Sequence, residues 1–197
     1  MLKREKQLEK RSSILEAAVS VFSREGYPNA RMQEIATKAG IGKGTIYQYF
    51  KGKKHLFQQV VKEGIDQYAI GIKNEIKGCI GIEQILKKIV TFSFSFLENH
   101  SDVLKMIESH RSLIDESMLK WLYDRKNKIT DLLVKTIVEK TEKKGMRSYK
   151  DAELAANCFF GMMISVVQEK VFHKKELDIE EVSDRIVKIF LHGYEQL

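Results

Sequence analysis

Proline is nearly absent: Pro28 is the only one in 197 residues. Because proline breaks helix interiors, its scarcity leaves almost the whole chain free to be helical. Cysteine is almost as rare. Cys79 and Cys158 stand far apart with no CxxC partner, which excludes a disulfide-stapled fold and a cysteine-built zinc site. No apolar run reaches the roughly 18–20 residues that a membrane span needs. Met1 to Arg11 alternates charges without the apolar core of a signal peptide, so the reducing cytoplasm is the expected location and no membrane partner is expected. Missing too are a phosphate-binding glycine loop, HExxH and GxSxG, and the five histidines show no metal-ligand spacing. The chain is therefore not expected to be an enzyme, to hold a metal or to use a cofactor.

What is present is helical periodicity nearly everywhere, with 43% hydrophobic and 31% charged residues. The pattern predicts an all-α fold of about nine helices, with no convincing strand. A first helix is expected over 5–25, with Leu8, Leu15, Ala18, Val21 and Phe22 inward and Gly26 closing it. Two short helices follow, Met32–Ala39 and Lys43–Tyr49, joined at Gly40 and Gly42. Ile35, Ala36, Ile46 and Phe50 are left to face inward. Longer helices are expected from Lys53 to near Gly78, over 82–98, from Asp102 to Ser109 with Ser101 as its cap, and over 113–143, 150–173 and 178–196. Phe92 and Phe96 are placed inward on the 82–98 helix, and Lys140, Lys143 and Lys144 before Gly145 suit a helix C-terminus. Charge is uneven. Residues 1–56 hold 12 Lys/Arg against 5 Asp/Glu, whereas residues 57–197 hold 22 of each, so the whole net charge of +7 lies in the first quarter. Two short helices at a glycine turn inside a basic segment describe a helix-turn-helix that binds duplex DNA.

The residues Gly26-Tyr27, Ile35-Ala36, Ala39-Gly40, Lys43-Gly44-Thr45, Tyr47, Tyr49-Phe50, Lys53 and Leu56 form one spaced motif over about residues 10–57. It resembles the DNA-binding domain of the tetracycline-repressor (TetR) family of transcriptional regulators. The resemblance implies a three-helix DNA-binding domain over 1–52, with its motif at about 31–50, and a helical bundle over 53–197 for ligand binding and dimerisation. It also implies a homodimer on a palindromic operator, a repressor released by a small effector, and divergence beyond the first domain. Two positions depart from the family pattern: Arg31, preceded by Ala30, and Gly42 stand where a hydroxyl usually caps the helix.

Residue roles follow from chemistry and from that resemblance. Lys43, Thr45 and Gln48 project where base edges would lie, since glutamine pairs bidentately with adenine and lysine reaches guanine acceptors. Gln33 occupies a position that contacts bases in some members. Arg31, Gly44, Tyr47, Tyr49 and Lys53 complete the expected DNA surface, with Tyr47, Tyr49 and Lys53 on phosphates. Phe92, Phe96, Met106, Trp121, Phe159, Met162 and Met163 are candidate walls of a pocket for an apolar or flat effector, with Glu108, His110, Arg111 and Arg125 as candidates for a polar end. The segment 155–167 is apolar on nearly every side, which predicts burial on more than one face. Ala155, Phe159, Gly161, Met162 and Ser165, with Val182, Ile186, Ile189 and Phe190, are the expected dimer interface. The competing reading is a helical adaptor that binds protein through its first domain; the basic skew argues against it.

Overall fold

The computed structural model describes residues 2–141 and 149–195. Among them the elements are α1 (Leu2–Asn29), α2 (Met32–Lys38), α3 (Lys43–Tyr49), α4 (Lys53–Glu75), α5 (Ile82–Asn99), α6 (Ser101–Ser109), a 3₁₀ turn (Arg111–Leu113), α7 (Glu116–Thr141), α8 (Tyr149–His173) and α9 (Ile179–Glu195). The fold is all-helical, with an N-terminal helix-turn-helix. Lys143, Lys144 and Gly145, expected to close a helix, lie outside the described residues, as does the side chain of Lys140. Chain contacts divide into two compact units. One comprises Met1–Asp66 and Asp102–Leu119, the other Gln67–Ser101 and Lys120–Leu197.

In the first unit α1 buries Ile14, Leu15, Ala17, Ala18, Val21 and Phe22. Leu8, expected inward, is 60% exposed. The inward stripe starts only near Arg11, whose guanidinium reaches Gln59 and Glu63 of α4. Gly26 interrupts α1 with a φ of 72° and ψ of 156°, a left-handed φ that glycine adopts without a Cβ clash. Tyr27 then folds into an aromatic nest, 5.4 Å from Phe57 and 5.6 Å from Phe22. Gly40, at a φ of 69°, ends α2. The amide of Ile41 donates to the Ala36 carbonyl and that of Gly40 to the Thr37 carbonyl, which satisfies two carbonyls that a helix end would otherwise leave bare. Asp115 caps α7 by accepting from the Met118 amide and the Ser117 hydroxyl. That cap moves the start of α7 from the expected 113 to Glu116.

In the second unit α5 packs on α8 and α9. Its buried line is Ile85, Leu86, Ile89, Val90, Ser93 and Phe94. Phe92 and Phe96, expected inside, are half-buried and lie against Tyr68 of α4 at 5.9 and 5.4 Å. In the run Phe92-Ser93-Phe94-Ser95-Phe96 the middle ring is therefore the core ring, and its neighbours turn towards α4. Phe159 of α8 meets Phe190 of α9 edge-on at 5.2 Å. Lys87 joins α5 to α9 through Glu180 and Asp184.

The Gly40 turn can be tested by substitution. A Cβ there would meet nothing within 4 Å, so Gly40→Ala should cost only the left-handed backbone penalty, about 1 kcal/mol. Urea unfolding of the two proteins measures it, and Gly40→Asn should cost less than Gly40→Ala.

Candidate nucleic-acid interface

The outer face of α3 is built by its inner face. Ile46 and Phe50 are almost wholly buried; four positions apart, they fix the rotation of a seven-residue helix. Lys43, Gly44, Tyr47 and Gln48 are consequently left exposed, with Tyr47 at 48%, while Thr45 and Tyr49 are half-buried. A Cβ on Gly44 would meet nothing within 4 Å, so the backbone itself is open to close approach. Gly42 precedes α3 in extended conformation and no side chain caps it. Arg31 stands before α2 in the same way, exposed and making no cap bond. Gln33 is exposed one position into α2. The exposed side of α3 therefore carries a cation, an amide and a phenol over an apolar plug, which suits readout of a duplex.

Lys53 differs from expectation. Its Nζ donates to the carbonyls of Tyr27 at 2.7 Å, Pro28 at 3.0 Å and Ala30 at 3.0 Å, and it lies 4.6 Å from the centre of the Tyr27 ring. The cation expected on a phosphate holds the end of α1 instead, and burial lowers its pKa. Arg11 carries no signal in the sequence pattern, yet its guanidinium lies over the Phe50 ring at 5.9 Å. The amide of Lys51 donates to Nδ1 of His55 at 3.1 Å, and His55 packs 5.9 Å from Phe50. Lys54 and Gln58 both donate to the Asp115 carboxylate, which Gln58 foremost holds well below the usual carboxylate range.

The expected effector and dimer residues separate. Met106 belongs to the first unit, and Phe92, Phe96, Trp121, Phe159, Met162 and Met163 to the second. Phe159 and Met163 are core residues, and Trp121 lies under the Arg125 guanidinium at 5.4 Å. Of the candidate polar end, Glu108 and Arg111 pair with each other at 2.7 Å, and His110 lies 5.5 Å from the Tyr27 ring. Tyr68 is a polar group that the sequence pattern does not single out. Ser93 gives its only hydroxyl proton to the Ile89 carbonyl, so Tyr68 must donate to Ser93 Oγ at 2.7 Å. Burial pushes the Tyr68 phenol up to about 12. Among the interface candidates, Ala155, Phe159, Ile186 and Phe190 are buried within their own chain. Gly161, Ser165 and Ile189 are exposed, with Ile189 at 62%, and Met162 and Val182 are half-buried. The inner face of α8 is covered by the chain itself, so only its outer face remains for a partner.

The sequence profile described as "Bacterial regulatory proteins, tetR family" matches residues 14–60, which run from the middle of α1 through α2 and α3 into the first turns of α4. Residues 14–60 are a DNA-binding domain of the TetR family. The chain is a DNA-binding transcriptional regulator and not an enzyme. It is 25% identical over 184 residues to the fatty acid metabolism regulator protein of Bacillus subtilis, covering 91% of this chain and 93% of that one. Its fold matches that of the fatty acid degradation regulator FadR from Bacillus halodurans, with a TM-score of 0.75, 25% identity, and 93% and 95% of the two chains covered. It also matches that of FadR from Bacillus subtilis in complex with stearoyl-CoA, with a TM-score of 0.74, 23% identity, and 92% and 98% covered.

His55 gives this head a pH dependence. Desolvation first, and then Lys51, Lys62 and Arg11, lower its pKa below 6.5. The folded state therefore binds fewer protons than the unfolded one just below that value. The stability contributed by the neutral ring is complete above pH 6.5 and is lost as pH falls from there through the depressed folded pKa. Urea unfolding between about pH 7 and 5 should show this loss, and His55→Gln should flatten it.

Proposed function

We propose that the protein is a repressor that acts as a homodimer on a palindromic operator, with its two α3 helices in successive major grooves about 34–36 Å apart. The observation that carries this reading is the exposed face of α3, with Lys43, Tyr47 and Gln48 presented over the buried Ile46 and Phe50. Residues 1–52 are assigned to DNA contact and residues 53–197 to effector binding and dimerisation. Base readout falls to Lys43, Thr45 and Gln48, with Gln33 beside them. Phosphate anchoring falls to Arg31, Tyr47 and Tyr49, with the bare backbone of Gly44 allowing close approach. The effector is a long-chain acyl compound. The Bacillus subtilis and Bacillus halodurans relatives named for fatty acid metabolism support it, and adaptable Phe and Met side chains such as Phe92, Phe96 and Met162 suit an acyl chain. No described helix is long and apolar enough to cross a membrane, and the cytoplasm, where the operator lies, is the proposed location.

Selection from random duplexes, followed by affinity measurement from about 50 to 200 mM salt, should yield a palindrome and a negative log–log slope of several units. Stearoyl-CoA as the probe should release the protein from that duplex. Gln48→Ala should relax base preference at one position per half-site, by about 1–3 kcal/mol of discrimination. A flat salt dependence overturns the reading.

The dimer is assigned to the outer face of α8 and α9: Gly161, Met162, Ser165, Val182 and Ile189, joined by Leu154 and Ile164. Isologous pairing of such a face on a second copy would form a four-helix bundle. A Cβ on Gly161 would meet nothing within 4 Å of its own chain, so Gly161→Arg leaves the protomer fold intact. Sedimentation should then find a dimer for the wild type and a monomer for the variant, with operator affinity abolished.

A further inference from the structure

We infer that Lys53 is a positioning residue of the DNA-binding head: its ammonium clamps the end of α1 to the start of α4, and so sets where α2 and α3 present their outer faces, without touching DNA. The inference rests on the reading of α3 as the DNA-reading helix.

A lysine ammonium has three N–H donors. Here the three carbonyls of Tyr27, Pro28 and Ala30 lie within 2.7–3.0 Å of Nζ, so its donors are saturated and none remains for a phosphate oxygen. The chain supplies these carbonyls for a local reason. Gly26 breaks α1 at a φ of 72°, and the peptide oxygens that follow emerge at a helix C-terminal end, where a cation is favoured. The position on α4 points the same way. Lys53 is the first residue of α4, where the helix's own dipole disfavours a cation, so the site is stable only with strong acceptors from elsewhere. The Tyr27 ring adds a face 4.6 Å from Nζ, and that ring is itself held by Phe22, Phe57 and His110. The third carbonyl makes the clamp matter for DNA. Ala30 is buried and directly precedes Arg31, the residue from which α2 departs. Fixing the Ala30 carbonyl therefore fixes the departure of α2 and, through the Gly40 turn, the placement of α3.

Lys53→Met keeps the stem and removes the charge and all donors. Measured well below its melting temperature, it should lower affinity for the selected duplex relative to an unrelated duplex by roughly tenfold, because misplaced base contacts weaken specific binding most. The log–log salt slope should stay at the wild-type value. A phosphate-binding Lys53 predicts the reverse: a slope reduced by about 0.9 for the one phosphate no longer neutralised, with the ratio of the two affinities unchanged. A lower melting temperature with ratio and slope both unchanged would make Lys53 structural only, and either result overturns the clamp's positioning role. Should Lys53→Met not fold, amine labelling of the wild type with acetic anhydride decides. The clamp predicts that Lys53 labels far more slowly than the exposed Lys43 and Lys51 and that duplex DNA does not change its rate. Ready labelling of the free protein with protection by DNA overturns it. A wild type that binds no duplex at any salt is separable from all of these, since it removes the DNA reading itself and with it the function assigned to the clamp.

Discussion

The DNA-binding head depends on the burial of one seven-residue helix. Isolated helices shorter than about 12–15 residues are marginal in water, so α3 exists because Ile46 and Phe50 are sealed against the rest of the head. Full burial of two such side chains contributes roughly 1.5–3 kcal/mol each. The same burial fixes the helix rotation and thereby decides which side chains stand outside. Arg11 over the Phe50 ring and His55 beside it close the remaining sides of the plug. Fold and function are thus set by one packing event, because α3 can be folded only in the orientation that exposes Lys43, Tyr47 and Gln48.

The parts of this arrangement that are legible in the sequence are those in which one residue type has one physical use. Gly40 after Ala39 announces a left-handed helix end, and the spacing of Ile46 and Phe50 announces the plug. Lys53 is not legible as a clamp, since a lysine at a helix start beside the motif reads equally as a phosphate contact. Only the Gly26 kink, which gathers three carbonyls at one point, separates the two. Leu8 misleads because helical periodicity continues beyond the point where α1 has anything to pack against. The run Phe92–Phe96 misleads because its alternation offers three rings, of which Phe94 alone is fully buried while Phe92 and Phe96 lie against Tyr68. The start of α7 depends on Asp115, whose capping role shows only once Gln58 and Lys54 of α4 reach it.

The confined charge of +7 overstates what meets DNA. Of the twelve cations in residues 1–56, Arg11 is engaged with Gln59 and Glu63, Arg24 with Glu25 and Glu34, Lys53 with three carbonyls, and Lys54 with Asp115. These side chains add to the field that steers the head towards a polyanion, but their donors serve the fold. Long-range attraction and short-range contact are therefore carried by different cations, and only the second group should enter the salt slope of binding.

A similar division runs through α8. Its apolar composition suggests that nearly every face needs a partner, yet Ala155, Phe159 and Met163 are buried within the same chain, where α8 packs on α5 and α9. What remains outside is a strip of small and aliphatic residues, with Gly161 and Ser165 between Leu154 and Ile164, and Ile189 on α9. A head with one short reading helix meets only a few base pairs. Since each mismatched pair typically costs about 1–3 kcal/mol, one head alone cannot single out a site in a genome. Two heads held at a fixed spacing multiply their discrimination, so an outer strip that pairs two copies would do as much for specificity as the residues that touch the bases.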